Sequence, residues 1–525
     1  MQIENLYREC TMGDLLLRSI DRGGNRTAFI SGGKSTSYQA FGRLVSQMLQ
    51  VFDRRGIGRG DGVACLTANS MESFLVMAAA YVAGVRVTNL HPLASADDQT
   101  FILGDSTASC LFFDPATHGE RAALLSKAVP SLQLLSLGPC NFAVDAIAEA
   151  GSFAPTPLVS RAETTDLCWL LYTGGTTGRP KGVMHSHRTH VAMVMAQLAE
   201  WEFPERLTFL AITPISHGAG ACLMPVLLRS GTIVMENGFT PQHFFEVTQR
   251  HAVTATFLVP TMIYRLIDYA AAHNVSAPSL ALVIYGAAPM APSRLREGLL
   301  RFGSIFMQLY AQSEAPLCVS VLRKQDHVSD DERRLGSCGR PIFTSHIVLL
   351  DQAGNEVEPG EVGEVCVRGP LVMEGYWNRP EETAHAFRHG WLHTGDLARQ
   401  DPDGLLYIVG RSKDMIISGG FNVYPIEIED LLSTHPAVSS SAVIGLPDPN
   451  WGEAVAAVVV LRPGHSIGEA ELTSWVKQAK GSVYTPKRVF FVDEIPLTSL
   501  GKPDKRALRE QYSTDALQAS SLQLP

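Results

Sequence analysis

Residues 172–182 read YTGGTTGRPKG: four glycines, three threonines and one lysine within eleven positions. Such a run suits the holding of an anion. Glycines such as Gly175 let backbone N–H groups approach where no Cβ blocks them. Thr173, Thr176 and Thr177 add hydroxyl donors, and Lys181 adds a point charge. The preceding run Leu167-Cys168-Trp169-Leu170-Leu171-Tyr172 is apolar and predicts a buried strand. A strand ending in this loop makes a natural phosphate cradle. It is not the P-loop of nucleoside triphosphatases, which needs GxxxxGK[ST] running into a helix; here Pro180 precedes Lys181, and Gly182-Val183 follow it.

The same string resembles the phosphate-binding signature of the adenylate-forming enzymes. That superfamily holds acyl-CoA synthetases, aryl-CoA ligases, luciferases and peptide-synthetase adenylation domains, and its usual form is YTSGTTGxPKG. Gly174 stands where serine is usual, which removes one hydroxyl donor to phosphate. Further stretches resemble the family's other motifs, in order and over nearly the whole chain. Residues 214–220, PISHGAG, are similar to the motif beside the carboxylate pocket, with His217 as its gate. Gly286-Ala287-Ala288-Pro289 resembles the strip whose backbone lies against adenine, and Gly286 also borders the acid pocket. Tyr310-Ala311-Gln312-Ser313-Glu314 resembles YGxTE, which implies Tyr310 stacking on adenine and Glu314 binding Mg²⁺. Asp396, in WLHTGD, is implied to accept both ribose hydroxyls, and Arg411, in GRSKD, to reach ribose and phosphate. Lys413, two residues past that arginine, takes the hinge position. Gly419 and Gly420 resemble the loop presented for thioester formation, and GLPDPNWGE (445–453) the matching CoA-ligase segment. PLTSLGK (496–502) resembles the closing motif, which makes Lys502 the adenylation lysine.

Two departures bear on the acid. Ser313 replaces a usual threonine and keeps the hydroxyl. Ala311 replaces a usual glycine and adds a methyl group to a position that lines the acyl channel in this family. One methyl shifts selectivity by about 1–3 kcal/mol. It narrows the channel without sealing it, which points to a medium-sized acid: medium-chain, branched, alicyclic or aryl, with acetate disfavoured.

The chemistry implied by the resemblance explains these parts. A carboxylate is a poor acyl donor to a thiol because its leaving group is poor. Reaction with ATP gives an acyl-adenylate and pyrophosphate, and CoA then displaces AMP. Lys502, Mg²⁺ on Glu314, and the loop with Thr177 and Lys181 would stabilise the charge that builds on the phosphates. Two alternatives share the motifs: a stand-alone adenylation enzyme loading a carrier protein, and a luciferase-like oxygenase. Against the first, no phosphopantetheine attachment motif follows, and 207–217, LTFLAITPISH, lacks an aspartate for an α-amino group.

Elements must position these residues. Strand-like runs such as GVACLTA, SCLFFD, LTFLAIT, TATFLVP and LALVIYG alternate with helical stretches, which predicts α/β layering with mostly parallel strands. From about residue 340, short strands with turn signals predict a β-rich subdomain. The expected fold is therefore α/β: a large N-terminal domain (1–411) of parallel-rich sheets with helices plus that β-rich subdomain, and a small mobile α+β C-terminal domain (412–525) hinged near Lys413. The C-terminal stretch STDALQASSLQLP reads as a polar tail.

Bulk properties agree. The chain has 525 residues, 46% hydrophobic and 18% charged, enough for sizeable cores. A net charge of -9 gives no electrostatic footprint for nucleic acid. Nine scattered cysteines without a CxxC pair predict reduced thiols and a cytoplasmic protein. The longest apolar run, FLVMAAAYVAGV, is too short to span a bilayer and predicts a buried helix. The expected partners are a small carboxylic acid, ATP and CoA; the oligomeric state, a homodimer included, stays open.

Overall fold

The computed structural model describes residues 9–173, 179–328, 331–449, 451–497 and 503–521. Two large sheets form the body. In the nine-stranded sheet, Phe306–Gln312, Leu282–Tyr285, Ala255–Leu258, Thr208–Ala211, Thr232–Met235 and Thr27–Ser31 are successive parallel neighbours. The eight-stranded sheet runs parallel through Leu167–Thr173, Arg86–Asn89, Gly62–Leu66, Cys110–Phe113 and Gln133–Ser136. Such strands are buried on both faces, so they read as continuous apolar runs rather than alternations. The largest core joins the two sheets, with Phe29 and Phe209 from one and Val63 and Trp169 from the other. The helix Met71–Ala83 lies in that core and buries every residue but Glu72. Ser70 caps its start and Gly84, in the left-handed region, its end, as expected for the apolar run seen in the sequence. No described helix is long and apolar enough to cross a membrane.

The glycine-rich loop closes a hairpin. Leu167–Thr173 and Lys181–Ser186 pair antiparallel, and Thr173 lies opposite Lys181. The helix His187–Glu200 starts only after the second strand, where Ser186 Oγ accepts from Thr189 N. A strand–loop–strand unit is thus what Pro180 and Gly182 signalled against a P-loop.

From residue 346 the layering changes as expected. His346–Leu350, Gly363–Arg368, Leu392–Gln400 and Leu406–Arg411 form a four-stranded antiparallel sheet. The last sheet joins Phe421–Val423, Ile416–Ser418, Gly452–Leu461 and Val438–Asp448, with Arg488–Phe491 added parallel. It carries two cores of its own, one built on Ile428, Leu432, Leu472 and Val476, the other on Ile444, Val458, Leu508 and Tyr512. Leu508 and Tyr512 correct one expectation: as far as Ser521 the polar tail belongs to a helix, Lys505–Ser521. Its buried face rests on these two residues at i,i+4 spacing, and Tyr512 stacks on Phe490 at 4.0 Å. So sparse a stripe leaves little periodic signal.

Candidate active site

The candidate residues gather because three parallel strands of the nine-stranded sheet end at one edge of it. Thr208–Ala211 runs out toward His217, Leu282–Tyr285 into Gly286-Ala287-Ala288-Pro289, and Phe306–Gln312 into Ser313-Glu314. Ligands in open α/β sheets sit outside the carboxyl ends of the strands.

Asp396 and Arg411 face one another across antiparallel strands as register partners. Arg411 Nε donates to Asp396 Oδ1 at 2.8 Å, and the Tyr310 hydroxyl donates to Oδ2 at 2.7 Å. Asp396 is buried, and its charge raises the pKa of Arg411. The pKa of Tyr310 is also raised, by burial first and by Asp396 second. A carboxylate has about four lone-pair sites, so both oxygens keep acceptor capacity for hydroxyls. The strand segment carrying Asp396 hangs on Glu364, which the sequence did not single out. Glu364 Oε1 accepts from Gly395 N at 2.9 Å; Oε2 accepts from Arg388 Nη2 at 2.7 Å and lies 2.8 Å from His393 Nδ1. Cys366 Sγ lies 3.3 Å from the same His393 nitrogen. Glu364, Cys366 and His393 bring ligand-type atoms within 4.8 Å of one another, but a guanidinium and a peptide N–H already engage the carboxylate, so the cluster is a hydrogen-bonded support.

Glu314 occupies the turn between Phe306–Gln312 and Ala315–Leu322, and that turn is held at three points. The Tyr376 hydroxyl donates to Oε1 at 2.8 Å, and Met373 N donates to the Glu314 carbonyl at 2.8 Å. His185 Nε2, 2.8 Å from the Ser313 carbonyl, donates to it. Lys181, at the far end of the glycine-rich loop, pairs with Glu382 and lies 5.4 Å from the centroid of the Tyr376 ring. Lys413 belongs to the same electrostatic field. Burial, then Arg411, lowers its pKa, while Asp414, Asp396 and Glu314 oppose that shift. Gly175, Thr176, Thr177 and Lys502 lie outside the described residues.

The strip Gly286-Ala287-Ala288-Pro289 is tight. A methyl group built at Gly286 would lie 2.6 Å from the Leu309 carbonyl oxygen, so only glycine fits. Ala287 adopts φ +66°, in the left-handed region. Such strain costs on the order of 1–3 kcal/mol and clusters at functional sites.

His217 begins the short helix Gly218–Ala221. Its Nδ1 lies 3.0 Å from Ser216 Oγ, and its ring meets His91 edge-on with centroids 4.7 Å apart. Burial, then His91, pushes the His217 pKa down to about 3. His91 Nδ1 accepts from Leu93 N at 3.1 Å, so its own proton sits on Nε2. Asn69 fixes the loop below: Oδ1 accepts from Ile215 N at 2.9 Å, and Nδ2 donates to the carbonyls of Ala211, Thr213 and Glu236. Beside His217, a methyl built at Gly218 would touch Phe257 at 3.6 Å and Leu317 at 3.7 Å. Ala311 lies opposite a bulge. It alone separates Tyr310 from Gln312, whereas residues 316–319 separate their partners Ser320 and Ala315. Leu317 in that bulge has φ +58°.

Gly419 and Gly420 turn the hairpin between Ile416–Ser418 and Phe421–Val423 at φ +58° and +82°. Gly419 N donates to the Trp451 carbonyl at 2.8 Å, a bond within the small domain. Ile417, Phe421 and Trp451 stand exposed around this turn.

Comparison with known proteins accords with this geometry. Residues 16–377 match the AMP-binding enzyme family, and 427–502 match the AMP-binding enzyme C-terminal domain. The medium/long-chain fatty-acid–CoA ligase FadD8 of Mycobacterium tuberculosis is 45% identical over 515 residues, covering 95% of this chain and 90% of the relative. A feruloyl-CoA synthase of an Amycolatopsis species is 35% identical over 503 residues, covering 95% and 99%. The amide bond synthetase McbA from Marinactinospora thermotolerans superimposes with a TM-score of 0.88 at 33% identity, over 95% of this chain and 99% of that one. The chain belongs to the AMP-binding enzymes, in their acyl-CoA synthetase branch.

Proposed function

We propose that the chain is an ATP-dependent acid–CoA ligase working in two half-reactions. In the first, a carboxylate oxygen of the acid attacks the α-phosphorus of ATP. The bond from that phosphorus to the bridging oxygen breaks, and pyrophosphate leaves. In the second, CoA sulfur, having given up its proton, attacks the acyl carbon, the bond to the adenylate oxygen breaks, and AMP leaves. Asp396 takes the ribose hydroxyls, Arg411 and Lys413 meet ribose and phosphate, and the strip 286–289 lies along adenine with Tyr310. Thr173, Gly175, Thr176, Thr177 and Lys181 hold the phosphates, and Lys502 carries the charge of adenylation. Glu314 suits Mg²⁺: it offers a hard carboxylate, and no described residue bonds its Oε2. The ion, when bound there, neutralises phosphate charge.

The observation that carries this reading is Asp396, buried yet poised between Tyr310 and Arg411, with Lys413 in the joint field of Asp396 and Glu314. We place the domain boundary at 411/412 and the hinge at Lys413, in the turn between the strands Leu406–Arg411 and Ile416–Ser418, which belong to different sheets. Gly419 and Gly420 are then carried to the acyl carbon for thioester formation.

The acid is a medium-sized hydrophobic one. Gly218 packs beside Phe257 and Leu317 next to His217, Ala311 adds one methyl at the position that lines the acyl channel in this family, and the relatives include a medium/long-chain fatty-acid–CoA ligase and a feruloyl-CoA synthase. The relatives favour neither the carrier-protein nor the luciferase-like alternative. The test is pyrophosphate release with acetate, hexanoate, decanoate, palmitate and ferulate, each with and without CoA. An acyl-CoA product that needs CoA and peaks with decanoate, hexanoate or ferulate is expected. No ATP–pyrophosphate exchange with any acid would overturn the ligase reading; acetate or palmitate leading the panel would overturn the acid assignment.

A further inference from the structure

Tyr376 stands between two charged groups of the site, and its backbone leaves it little freedom. Gly375 and Tyr376 pair antiparallel with Met184 and Val183, on the strand that Lys181 opens. Tyr376 N donates to Thr383 Oγ1 at 2.9 Å, and Trp377 N donates to the Gly182 carbonyl at 2.8 Å. Gly375 has φ +138°, and a methyl built there would lie 2.8 Å from Thr383 Cγ2, so the segment seats closely. From this anchored position the hydroxyl reaches Glu314 Oε1 at 2.8 Å, while the ring faces Lys181 Nζ at 5.4 Å. Glu382 holds the same ammonium from another side.

We propose that Tyr376 is a positioning residue: it fixes Glu314 as a ligand for the magnesium of Mg·ATP and steadies Lys181, so that the metal and the lysine meet the same phosphates. The proposal rests on the reading of Glu314 as the metal carboxylate. A glutamate in a two-residue turn has several rotatable bonds, and its carboxylate plane is otherwise loosely set. A donor on Oε1 fixes that plane and leaves Oε2 for a hard cation. Partners of this kind, bonded to a ligand rather than to the ion, are worth roughly 10–100-fold in metal affinity. The aromatic face opposite Lys181 adds a cation–π contact and limits where the ammonium points. Tyr376 thus links the Glu314 turn of one large sheet to the phosphate hairpin of the other.

The full-length protein tests this directly. Tyr376→Phe removes one oxygen and keeps the ring. ATP binding is measured by calorimetry at graded Mg²⁺, without acid or CoA, and AMP binding is measured without metal. The expected result is a rise of roughly 10–100-fold in half-saturating Mg²⁺ with AMP affinity unchanged. Tyr376→Leu, which also removes the ring, is expected to weaken ATP further even at saturating Mg²⁺; equality of the two variants there would overturn the Lys181 part. If Glu314→Gln shifts the Mg²⁺ dependence and Tyr376→Phe does not, the positioning role falls while the metal assignment stands. If Glu314→Gln leaves it unchanged, the metal assignment itself falls and takes the proposal with it. Loss of AMP binding in Tyr376→Phe would mark a general structural defect and also overturn the proposal.

Discussion

Both carboxylate oxygens of Asp396 are engaged, one by a guanidinium and one by a phenol, and this sets what its replacement does. Asp396→Asn keeps the shape but removes the charge, loses one acceptor oxygen and leaves Arg411 without its counter-ion. Hydrogen bonds to charged groups are worth about 1.5–3 kcal/mol, so the KM for ATP in pyrophosphate exchange is expected to rise about 10–100-fold; a wild-type KM would count against the ribose assignment. His91→Ala removes the ring packed against His217. The KM for the acid should rise while the KM for ATP holds, which steady-state kinetics resolves. Asp396, Arg411, Glu314 and His217 were legible because each sits in a short local string. His91, Glu364 and Tyr376 were not. Their partners lie far away in sequence, and only the stacking of sheets brings Tyr376 to Glu314 or His91 to His217.

Among elements, the exit of the strand Leu282–Tyr285 is the least forgiving. Gly286→Ala must push its methyl into the Leu309 carbonyl, which belongs to the neighbouring strand and cannot swing aside. Overpacking of this kind costs about 1–3 kcal/mol. A lowered melting temperature together with weakened ATP affinity is expected; an unchanged melting temperature would show that the strand gives way. The strand runs were legible because parallel strands buried on both faces leave unbroken apolar strings. The terminal helix Lys505–Ser521 was not, since Leu508 and Tyr512 alone mark its described buried face. The run at 174–178 reads as an anion cradle but lies outside the described residues; its flanking residues argued against a strand-to-helix turn, and the hairpin partner was fixed only by the pairing of Thr173 with Lys181.

For the whole molecule, buried histidines set the response to acid. Burial pushes His185, His187 and His327 down to about 4 from an ordinary 6.5, and holds His190 well below that ordinary value too. The unfolded chain therefore binds more protons below about pH 6.5 than the folded one, so this share of stability is complete above that pH and is lost as pH falls toward about 4. The melting temperature should fall progressively across that window. His190 makes no hydrogen bond among the described residues, and its Nδ1 is buried without a partner. His190→Leu should accordingly stabilise the protein more at pH 5 than at pH 8; equal effects would exclude the titration. The two-domain plan leads to a second test. Lys502→Ala should cut adenylation by roughly 10²–10³-fold or more while sparing thiolysis of preformed acyl-adenylate; equal loss in both steps would rule out two working poses. The β-rich subdomain was legible from the change of texture after about residue 340 and the small C-terminal domain from the section after Gly410-Arg411, whereas the field that Lys413 shares with Arg411, Asp396 and Glu314 needed the folded chain. The bulge opposite Ala311 reaches beyond this one protein. A strand that already accommodates surplus residues beside the proposed acid pocket can gain or lose one there while its pairing on either side persists. Insertions and deletions at that point offer a lineage a way to resize the cavity and change diet, with the catalytic edge left intact.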